Sequence, residues 1–489
     1  MKSLRCFRTS LSQQCPLSWV CKAAVLGQFS VAVVSNEEPQ MSPYISITTM
    51  ISILDVIIKY YEDFNLLSDR QHGFRRSKST ITALTEIIKI ALEHKTREYA
   101  AIIAVDISAA FDNAWWPALM KRLDEDGVQA SMIKLLQSYF DNRRIRFRYS
   151  STEINKKLRY ADDITLICWN KSPEQLRKTI DNVLRKINKW CESRKLKLSD
   201  EKTKILYLYK CNSDIIVSGS KLIKPVEELK ILGVTIKNHR VRSKLDFTPH
   251  VNEMIIKVTR ASGYLFGLTK KAWGLDFRRR LILYKTLYRS TITYGYPIWY
   301  PFINKKSKDK LNSLQYSILK HCIQAYSTTS SDCTHILAQV PKLTEYIESN
   351  MLKTEINYNR FDSSSRNIIS NYIREKLQKY YEKTNTIFKS FFTDSQIPKY
   401  VKPNFYNVQF FTGHGNFRSY LYKVRKTDSP KCSCGAEEEN PVHILTDCRL
   451  VEDLRVKNQI NINCLNQIVN NRYMYINFNR FCRMFFSNR

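Results

Sequence analysis

Hydrophobic residues at helical spacing, followed by a continuous apolar run, mark the first ordered part of the chain. Apolar residues at 81, 84, 87, 88, 91 and 92 lie on one face of a helix, and Tyr99 to Val105 is apolar throughout. A period of 3.6 residues is typical of amphipathic helices, and a short apolar run between polar segments is typical of buried strands. We therefore predict a helix over 81–92 and a core strand that ends at Asp106.

The same spacing predicts a series of helices further along. Helices are expected over 115–123, 128–140 and 176–190, and the stretch from Asp246 to about Tyr381 is mainly helical in pattern. Helices interspersed with strands indicate an α+β fold, a sheet layer covered by helices.

Two strand patterns lie between these helices. Residues 143–149 alternate arginine with Ile, Phe and Tyr, which predicts a strand with one cationic and one apolar face. Residues 158–168 place Asp162 and Asp163 between β-prone segments, as at the tip of a hairpin. The cationic face suits a phosphate backbone, and the hairpin would present two acids together.

Length and charge narrow the classes of function. A chain of 489 residues suits two to four modules, and its formal net charge is +33. Such an excess favours a polyanionic partner, most simply nucleic acid, over a small neutral substrate. A generally basic surface without a partner remains the alternative.

The distribution of cysteines and of apolar residues indicates in which cellular compartment the protein is expected. The 13 cysteines are scattered rather than dense, which favours a reducing compartment, nuclear and/or cytoplasmic. No stretch of 18 apolar residues occurs, so we expect no membrane-spanning helix. Residues 1–36 contain four cations and no acid, and we interpret residues 1–59 as a leader of uncertain structure, with a targeting peptide as the alternative.

Three aspartates are candidates for metal chemistry. Nucleotidyl transfer uses two Mg²⁺ ions about 3.5–4 Å apart, and both prefer carboxylate oxygens. Asp106 at a strand end and the Asp162–Asp163 pair could supply these ligands. The alternative is ordinary turn aspartates.

A second candidate metal site lies near the C-terminus. Cys432, Cys434, His443 and Cys448 have a C-x-C-x₈-H-x₄-C spacing, which suits one structural, tetrahedral Zn²⁺. Reduced, unliganded cysteines are the alternative. With no open coordination position, such a site would bind nucleic acid rather than catalyse.

A series of short motifs extends from about residue 60 to 450. They are Gln71-His72-Gly73-Phe74-Arg75 with Ser79-Thr80, Asp106 to Asp112, Tyr160-Ala161-Asp162-Asp163, Leu196 to Thr203, Leu232-Gly233-Val234, Tyr294-Gly295, Trp299, Ala325 to Ser330, and His414-Gly415 to Tyr420-Leu421. In this order they resemble the reverse transcriptases of non-LTR retrotransposons, in the Jockey-like and ribosomal-DNA-inserting branch.

The resemblance implies an architecture and a function. The architecture is a right-hand polymerase with fingers and palm over 60–245, a helical thumb and connection over 246–400, and a C-terminal region over 401–489 with a zinc-knuckle-like module. The function is RNA-directed DNA polymerase, extending a DNA primer on an RNA template with dNTPs.

The resemblance also implies roles for single residues. Asp106, Asp162 and Asp163 would hold two Mg²⁺ ions. Phe111 would pack under the incoming sugar and exclude a 2′-hydroxyl, with a core phenylalanine as the alternative. Two cationic residues complete the predicted site. Lys202 would assist the pyrophosphate leaving group, and Arg75 would contact the triphosphate or template. For both residues the alternative is a solvated surface charge.

One departure from the family predicts weak or absent activity. Only eight residues separate Tyr149 from Leu158, where the family has several dozen that shape the nucleotide pocket. The palm is thus shortened near 150–157. Two alternatives follow: a non-catalytic nucleic-acid-binding remnant, or a decayed genomic copy with no selected role.

Basic clusters flank the motifs and are expected to contact phosphates. They are Lys237, His239, Arg240, Arg242 and Lys244, then Lys270-Lys271, then Arg278-Arg279-Arg280. The interleaved aromatic residues Tyr264, Phe266, Trp273 and Phe277 could stack on bases, but we interpret them first as core residues.

Overall fold

The computed structural model describes most of the chain from residue 47 onward. The described residues are 47–73, 75–108, 115–140, 148–149, 152–153, 164–209, 216–218, 221–223, 225–239, 241, 244–267, 274–359, 364–462 and 464–487. The chain divides into two compact units, the first made of Met1–His250 with Pro297–Phe302 and the second of Val251–Tyr296 with Ile303–Arg489.

The first unit mixes helices and strands, in keeping with the predicted α+β class. Its helices are α1 Ile47–Asp63, α2 Thr80–Arg97, α3 Trp116–Glu125, α4 Ala130–Phe140 and α5 Pro173–Ser193. Its strands are β1 Tyr99–Ser108, β2 Arg148–Tyr149, β3 Thr152–Glu153, β4 Ile164–Asn170, β5 Lys197–Tyr207, β6 Ile216–Ser218, β7 Lys221–Ile223, β8 Glu228–Ile231, β9 Val234–Asn238 and β10 Leu245–Asp246.

A three-stranded antiparallel sheet in the order β4-β1-β5 forms the centre of this unit. On β1, Ile103 pairs with Leu166 of β4 and Ile205 of β5, and all three are buried. One face of the sheet packs against α5, whose buried residues recur at helical spacing from Leu176 to Cys191. The predicted core strand and the predicted helix over 176–190 are therefore confirmed.

The predicted end of the core strand is wrong. β1 does not stop at Asp106 but continues to Ser108, because it resumes pairing with β5 beyond a register shift: Asp106 pairs with Ser199 and Ile107 with Leu198. Ile107 is buried, so the apolar pattern of the strand continues past the aspartate. Asp106 thus lies within the sheet rather than at its exit.

Helix α2 is longer than predicted and is fixed at its start. Ser79 is the N-cap and forms a reciprocal capping box with Thr82, which satisfies two backbone N–H groups. The preceding loop is held to the same helix by His72, whose ring nitrogens lie 2.9 Å from Thr82 Oγ1 and 2.9 Å from Glu86 Oε2. The Gln71–Arg75 motif is therefore anchored to α2.

A second core joins α1, α3 and α4. Ile57, Leu123 and Leu136 are fully buried there, which confirms helices in the regions predicted over 115–123 and 128–140. Gly127 links α3 to α4 with φ +80°, and a Cβ there would lie 2.9 Å from the Tyr60 hydroxyl oxygen. That hydroxyl donates to the Gly127 carbonyl, so glycine permits both the turn and the contact.

The second unit is helical in all its named elements, which confirms the mainly helical pattern predicted from 246 to 381. Its helices are α6 Thr248–Gly267 (most of which lies in this unit), α7 Phe277–Leu283, a π-helix Tyr284–Arg289, α8 Ser290–Ile292, α9 Tyr296–Trp299 (which continues into the first unit), α10 Lys305–Ile323, α11 Ser331–Ala338, α12 Leu343–Asn359, α13 Ser364–Glu382, α14 Thr386–Phe391, α15 Phe405–Thr412, α16 Arg418–Lys423, α17 Pro441–Thr446, α18 Glu452–Lys457, α19 Asn466–Asn470 and α20 Arg472–Ser487. Two 3₁₀ helices, Tyr300–Phe302 in the first unit and Arg449–Val451 in the second, complete the elements.

Aromatic side chains build the core of its C-terminal part. α20 packs against α15 through Phe478, Phe481 and Phe485, which surround the fully buried Phe410. Stacked and edge-to-face rings of this kind add to the free energy of burial. Across the described part of the chain, no helix is long and apolar enough to cross a membrane.

A buried histidine makes the second unit sensitive to acid. His335 is fully buried; its Nδ1 lies 2.8 Å from the Val340 carbonyl, and its Nε2 has no hydrogen-bond partner among the described residues. Burial lowers the pKa of His335 to about 4, even though Asp332 lies close enough to oppose the shift. Protonation would place a positive charge in the core, where the Val340 carbonyl and Asp332 offset only part of the cost of burial.

We therefore expect stability to fall as the pH drops below about 6.5, the pKa of an unfolded histidine, and to go on falling towards pH 4. The unfolded chain binds the proton more tightly, and the full effect is on the order of 3 kcal/mol. In urea titrations between pH 7 and 4.5, His335→Phe should flatten this dependence. An unchanged slope in the variant would contradict the assignment.

Candidate functional site

Asp106 presents a carboxylate oxygen with an unusual environment. Its Oδ2 is buried and accepts no hydrogen bond from any described residue. Its ion pair is with the Lys202 ammonium, 3.4 Å away on β5, whose side chain is 68% exposed. A buried carboxylate oxygen whose cationic neighbour is exposed to solvent has the character of a ligand for a cation.

An irregularity in β5 brings these two residues together. Ala104 pairs with Lys204 and Asp106 with Ser199, so four residues of β5 stand opposite one residue of β1. Thr203 is buried, and its hydroxyl donates to the Ser199 carbonyl at 2.7 Å, which closes the bulge. Bulges redirect side chains in this way, and here the bulge turns Lys202 back towards Asp106.

Strand β4 enters the sheet beside Asp106. Its first residue, Ile164, pairs with Val105, the neighbour of Asp106, in antiparallel register. Asp162 and Asp163, predicted to share a site with Asp106, lie outside the described residues, as does Phe111. β4, the strand that follows Asp162 and Asp163 in the sequence, therefore begins next to Asp106.

Arg75 makes local contacts. Its guanidinium donates to the Ser68 carbonyl at 2.9 Å and lies 3.9 Å from the Asp69 carboxylate, and its side chain is 14% exposed. The Lys78 ammonium also donates a hydrogen bond to the Asp69 carbonyl. Arg75 and Lys78 therefore stabilise the loop before α2 through contacts within that loop.

Part of the positive charge in the basic cluster between Lys237 and Lys244 is neutralised by neighbouring acids. Lys237 pairs with Glu227 and Glu228 at 3.5 and 3.3 Å. The buried Lys95 of α2, absent from the sequence prediction, donates to the carbonyls of His239 and Lys244 at 2.7 Å each. Burial lowers the pKa of Lys95 to about 8. Arg240 and Arg242 lie outside the described residues.

The other basic and aromatic predictions need two corrections. Arg280 is 3% exposed, so its helix turns it into the core rather than towards phosphate, whereas Arg278 and Arg279 are exposed. Tyr264, interpreted as a core residue, is 82% exposed, because it lies on the outer face of α6. Phe277 is half-buried, and Lys270, Lys271, Trp273 and the side chain of Phe266 lie outside the described residues.

The four residues of the C-x-C-x₈-H-x₄-C pattern converge. Their candidate ligand atoms all lie within 4.8 Å of one another. Cys432 Sγ is 3.7 Å from Cys448 Sγ, and Cys434 Sγ is 3.2 Å from His443 Nε2. Sulfur atoms bound to one tetrahedral Zn²⁺ at 2.3 Å would be about 3.8 Å apart, so the spacing fits zinc.

The backbone around this Cys/His cluster is tightly defined. A turn closed by the Cys432 N–H and the Ala436 carbonyl contains Gly435 at φ +99°, and Asn440 caps α17, which carries His443. The pKa of Cys434 is lowered to about 7, first by a backbone hydrogen bond at Ala436, while burial raises the pKa of Cys432 to about 12. Of these two thiols, Cys434 is therefore the one that more readily becomes a thiolate ligand.

Two of the motifs that carry the family resemblance, Ala325 to Ser330 and His414 to Leu421, contact each other in the second unit. The Thr328 hydroxyl bonds the Tyr420 hydroxyl and lies 3.2 Å from His414 Nδ1, and the imidazole and phenol rings are 4.9 Å apart. The residues are 86 and 92 positions apart, so no local sequence pattern could have indicated this contact.

Comparisons with known proteins agree with the motifs. Residues 151–236 match the family model described as "Reverse transcriptase (RNA-dependent DNA polymerase)". The matched range contains Asp162, Asp163 and Lys202, whereas Asp106 precedes it. It begins at residue 151, in the segment near 150–157 that we predict to be shortened.

Curated relatives come from insect retrotransposons. The Pol polyprotein of the type-1 retrotransposable element R1 of Bradysia coprophila is 23% identical over 449 residues, covering 80% of this chain and 44% of that protein. An R1 Pol polyprotein of Nasonia vitripennis is 24% identical, covering 62% of this chain and 87% of that protein. The RNA-directed DNA polymerase from the mobile element jockey of Drosophila melanogaster is 23% identical, covering 57% and 34%.

The chain spans less than half the length of the Bradysia relative. The similarity nevertheless extends well beyond the matched family range and includes both the R1 and the jockey elements. Together with the motifs, these matches show that the chain is similar to the reverse transcriptases of non-LTR retrotransposons.

Proposed function

We propose that the chain is an RNA-directed DNA polymerase that extends a DNA primer on an RNA template with dNTPs. One observation carries the proposal: the buried Oδ2 of Asp106 accepts no hydrogen bond from the described residues and lies beside Lys202, where the strand that follows Asp162 and Asp163 joins the sheet. In this proposal all three aspartates supply metal ligands.

Two Mg²⁺ ions would supply activation of the primer 3′-hydroxyl and neutralisation of the triphosphate when bound. Asp106 would hold one ligand oxygen in place because β1 is paired on both sides. Lys202, exposed on its bulge, would turn from Asp106 to the leaving pyrophosphate and neutralise its charge. Phe111 would exclude a 2′-hydroxyl, and Arg75 would keep its remaining N–H groups for triphosphate or template.

The proposed architecture places fingers and palm over 60–245, a helical thumb and connection over 246–400, and a C-terminal module over 401–489. The Cys/His cluster would hold one structural Zn²⁺ through Cys432, Cys434, His443 and Cys448. Arg455 supports it by donating to the carbonyl of Cys448 at 2.7 Å. We place the protein in the nucleus and/or cytoplasm.

We also propose that activity is weak, because the segment that shapes the nucleotide pocket is shortened near 150–157. The test is primer extension on an RNA template, with the unmodified chain compared with the double variant Asp162→Asn/Asp163→Asn. We expect low, Mg²⁺-dependent incorporation that the double variant abolishes. Equal incorporation by both proteins would remove these residues from the mechanism.

A non-catalytic nucleic-acid-binding function is the second candidate. It is favoured by α16 and the residues after it, which expose Tyr422, Lys423, Arg425 and Lys426 close in sequence to the Cys/His cluster. Cations beside exposed aromatic rings suit single-stranded nucleic acid. Salt-dependent RNA binding without any incorporation would select this function.

A further inference from the structure

A buried lysine at the end of α2 joins two distant parts of the first unit. Lys95 lies in the last turn of α2 and is 4% exposed. Its ammonium group donates to the carbonyls of His239 and Lys244 at 2.7 Å each, across 144 and 149 positions of the chain. Burial, unopposed by any described acid, lowers the pKa of Lys95 to about 8. Because a buried charge without an acid partner costs free energy, these two hydrogen bonds must offset much of that cost.

Both acceptor carbonyls lie at the end of a strand pair in the small sheet β10-β9-β8. Asn238, the last residue of β9, pairs with Leu245, the first residue of β10. His239 follows that pair and Lys244 precedes it, so the ammonium group bridges the two strands where their ladder ends. The contact therefore holds β9 and β10 together and ties both to α2.

A strained turn lies at the opposite end of β9. Ile231 of β8 pairs with Val234 of β9, and the two residues between them, Leu232 and Gly233, have φ values of +44° and +84°. A leucine in the left-handed region is uncommon and strained, and strained residues cluster at functional sites. The turn lies inside the range that matches the reverse transcriptase family model, residues 151–236, whereas the ammonium contact lies outside it. The turn therefore belongs to the matched polymerase region, and its support comes from beyond that region.

The last turn of α2 also contacts the central sheet. The His94 ring stacks on Trp169 of β4, with ring centroids 3.7 Å apart, and one residue separates α2 from β1. The small sheet has a second tie to the central sheet on its β8 side, where the Val226 N–H donates to the Ile205 carbonyl at 2.8 Å. Lys95 therefore fixes the β9–β10 side, and the two ties together define how the small sheet lies against β1.

We propose that Lys95 is a positioning residue for polymerisation: its ammonium group holds the small sheet, and with it the Leu232–Gly233 turn, at a fixed place relative to β1 and Asp106. The inference rests on the proposed function for the ligand of the turn. The turn carries no charge, so it suits the sugar and base at the 3′ end of the primer better than a triphosphate, which cationic groups bind. Lys95 is too deeply buried to touch either substrate and acts only through the sheet.

The first test is hydrogen–deuterium exchange, followed by mass spectrometry without nucleic acid or metal. Lys95→Met keeps the length of the side chain but removes its charge and its donors. We expect amide exchange in β9 and the Leu232–Gly233 turn to be roughly tenfold faster, the ratio for loss of a hydrogen bond to a charged group, while β1 stays as protected as in the unmodified chain. Lys95→Arg, which keeps a cation and its donors, should restore the slow exchange. Unchanged exchange in Lys95→Met, or a loss of protection that extends to β1, would overturn the proposal.

The second test separates positioning of the primer from a purely structural role. An RNA template annealed to a DNA primer that ends in 2-aminopurine is titrated into each protein without dNTPs, and the fluorescence of this base reports on the primer's 3′ end. Lys95→Met should bind this hybrid roughly fivefold more weakly, with a smaller fluorescence change at saturation, and Lys95→Arg should restore both. The matched control is Lys89→Met, the same substitution at an exposed lysine of α2, which should bind within about twofold of the unmodified chain.

Equal binding and equal fluorescence in Lys95→Met and Lys89→Met would show that this contact does not place the primer end, and the proposal would be wrong. An unmodified chain that bound no hybrid would instead contradict the proposed function. Hydrogen exchange would then still decide whether Lys95 holds the turn, because it requires no nucleic acid.

Discussion

Asp106→Asn should reduce incorporation by roughly 100-fold or more, the loss typical when a preorganised charge-stabilising group is removed. The reason is the carboxylate itself: Oδ2 is buried, accepts no hydrogen bond from the described residues, and faces the Lys202 ammonium at 3.4 Å. The amide is almost the same size, so the packing of β1 survives while the negative charge is lost.

Because activity is proposed to be weak, metal binding gives a second readout. Mn²⁺, followed by electron paramagnetic resonance, should bind Asp106→Asn more than roughly tenfold less tightly than the unmodified chain. Glu201→Gln is the matched control, an exposed acid on the same β5 bulge. If both variants bound Mn²⁺ with the affinity of the unmodified chain, Asp106 would not be a metal ligand. The main observation in favour of the polymerase proposal would then be removed.

Cys448→Ser should remove zinc and destabilise the C-terminal part of the second unit by about 3–5 kcal/mol. Cys448 is 1% exposed, and its sulfur lies 3.7 Å from that of Cys432. Its carbonyl accepts from the buried Arg455, so the cluster also positions that residue. Without the ion, His443 would no longer be tied to the three cysteines, and α17 would be held mainly by the burial of Ile444 and Leu445.

The measurements are zinc content by mass spectrometry and thermal unfolding. We expect one zinc per unmodified chain, none in the variant, and a midpoint lower by about 10 °C. Cys464→Ser is the control, since Cys464 is exposed and outside the cluster. A variant that unfolded like this control would show that the four residues are ordinary reduced cysteines and histidine.

Much of the fold followed from periodicity. α2, α5 and the helical second unit each show the helical repeat that burial of one face requires, and the core strand shows the continuous apolar run of a buried strand. One segment is enough to show either pattern. The position of Asp106 within β1, rather than at its end, could not be predicted from periodicity, since it depends on β5 resuming its pairing with β1 after a bulge. The burial of Arg280 and the exposure of Tyr264 likewise depend on which helix face meets the core.

The sequence by itself determined the family motifs, the excess of positive charge, and the Cys/His spacing, because each is a matter of residue type and local order. Tertiary structure decided which residues meet: Lys202 with Asp106, the four ligand atoms of the Cys/His cluster, and Thr328 with Tyr420. These contacts join segments whose approach depends on the packing of the whole unit, and no local pattern records that packing.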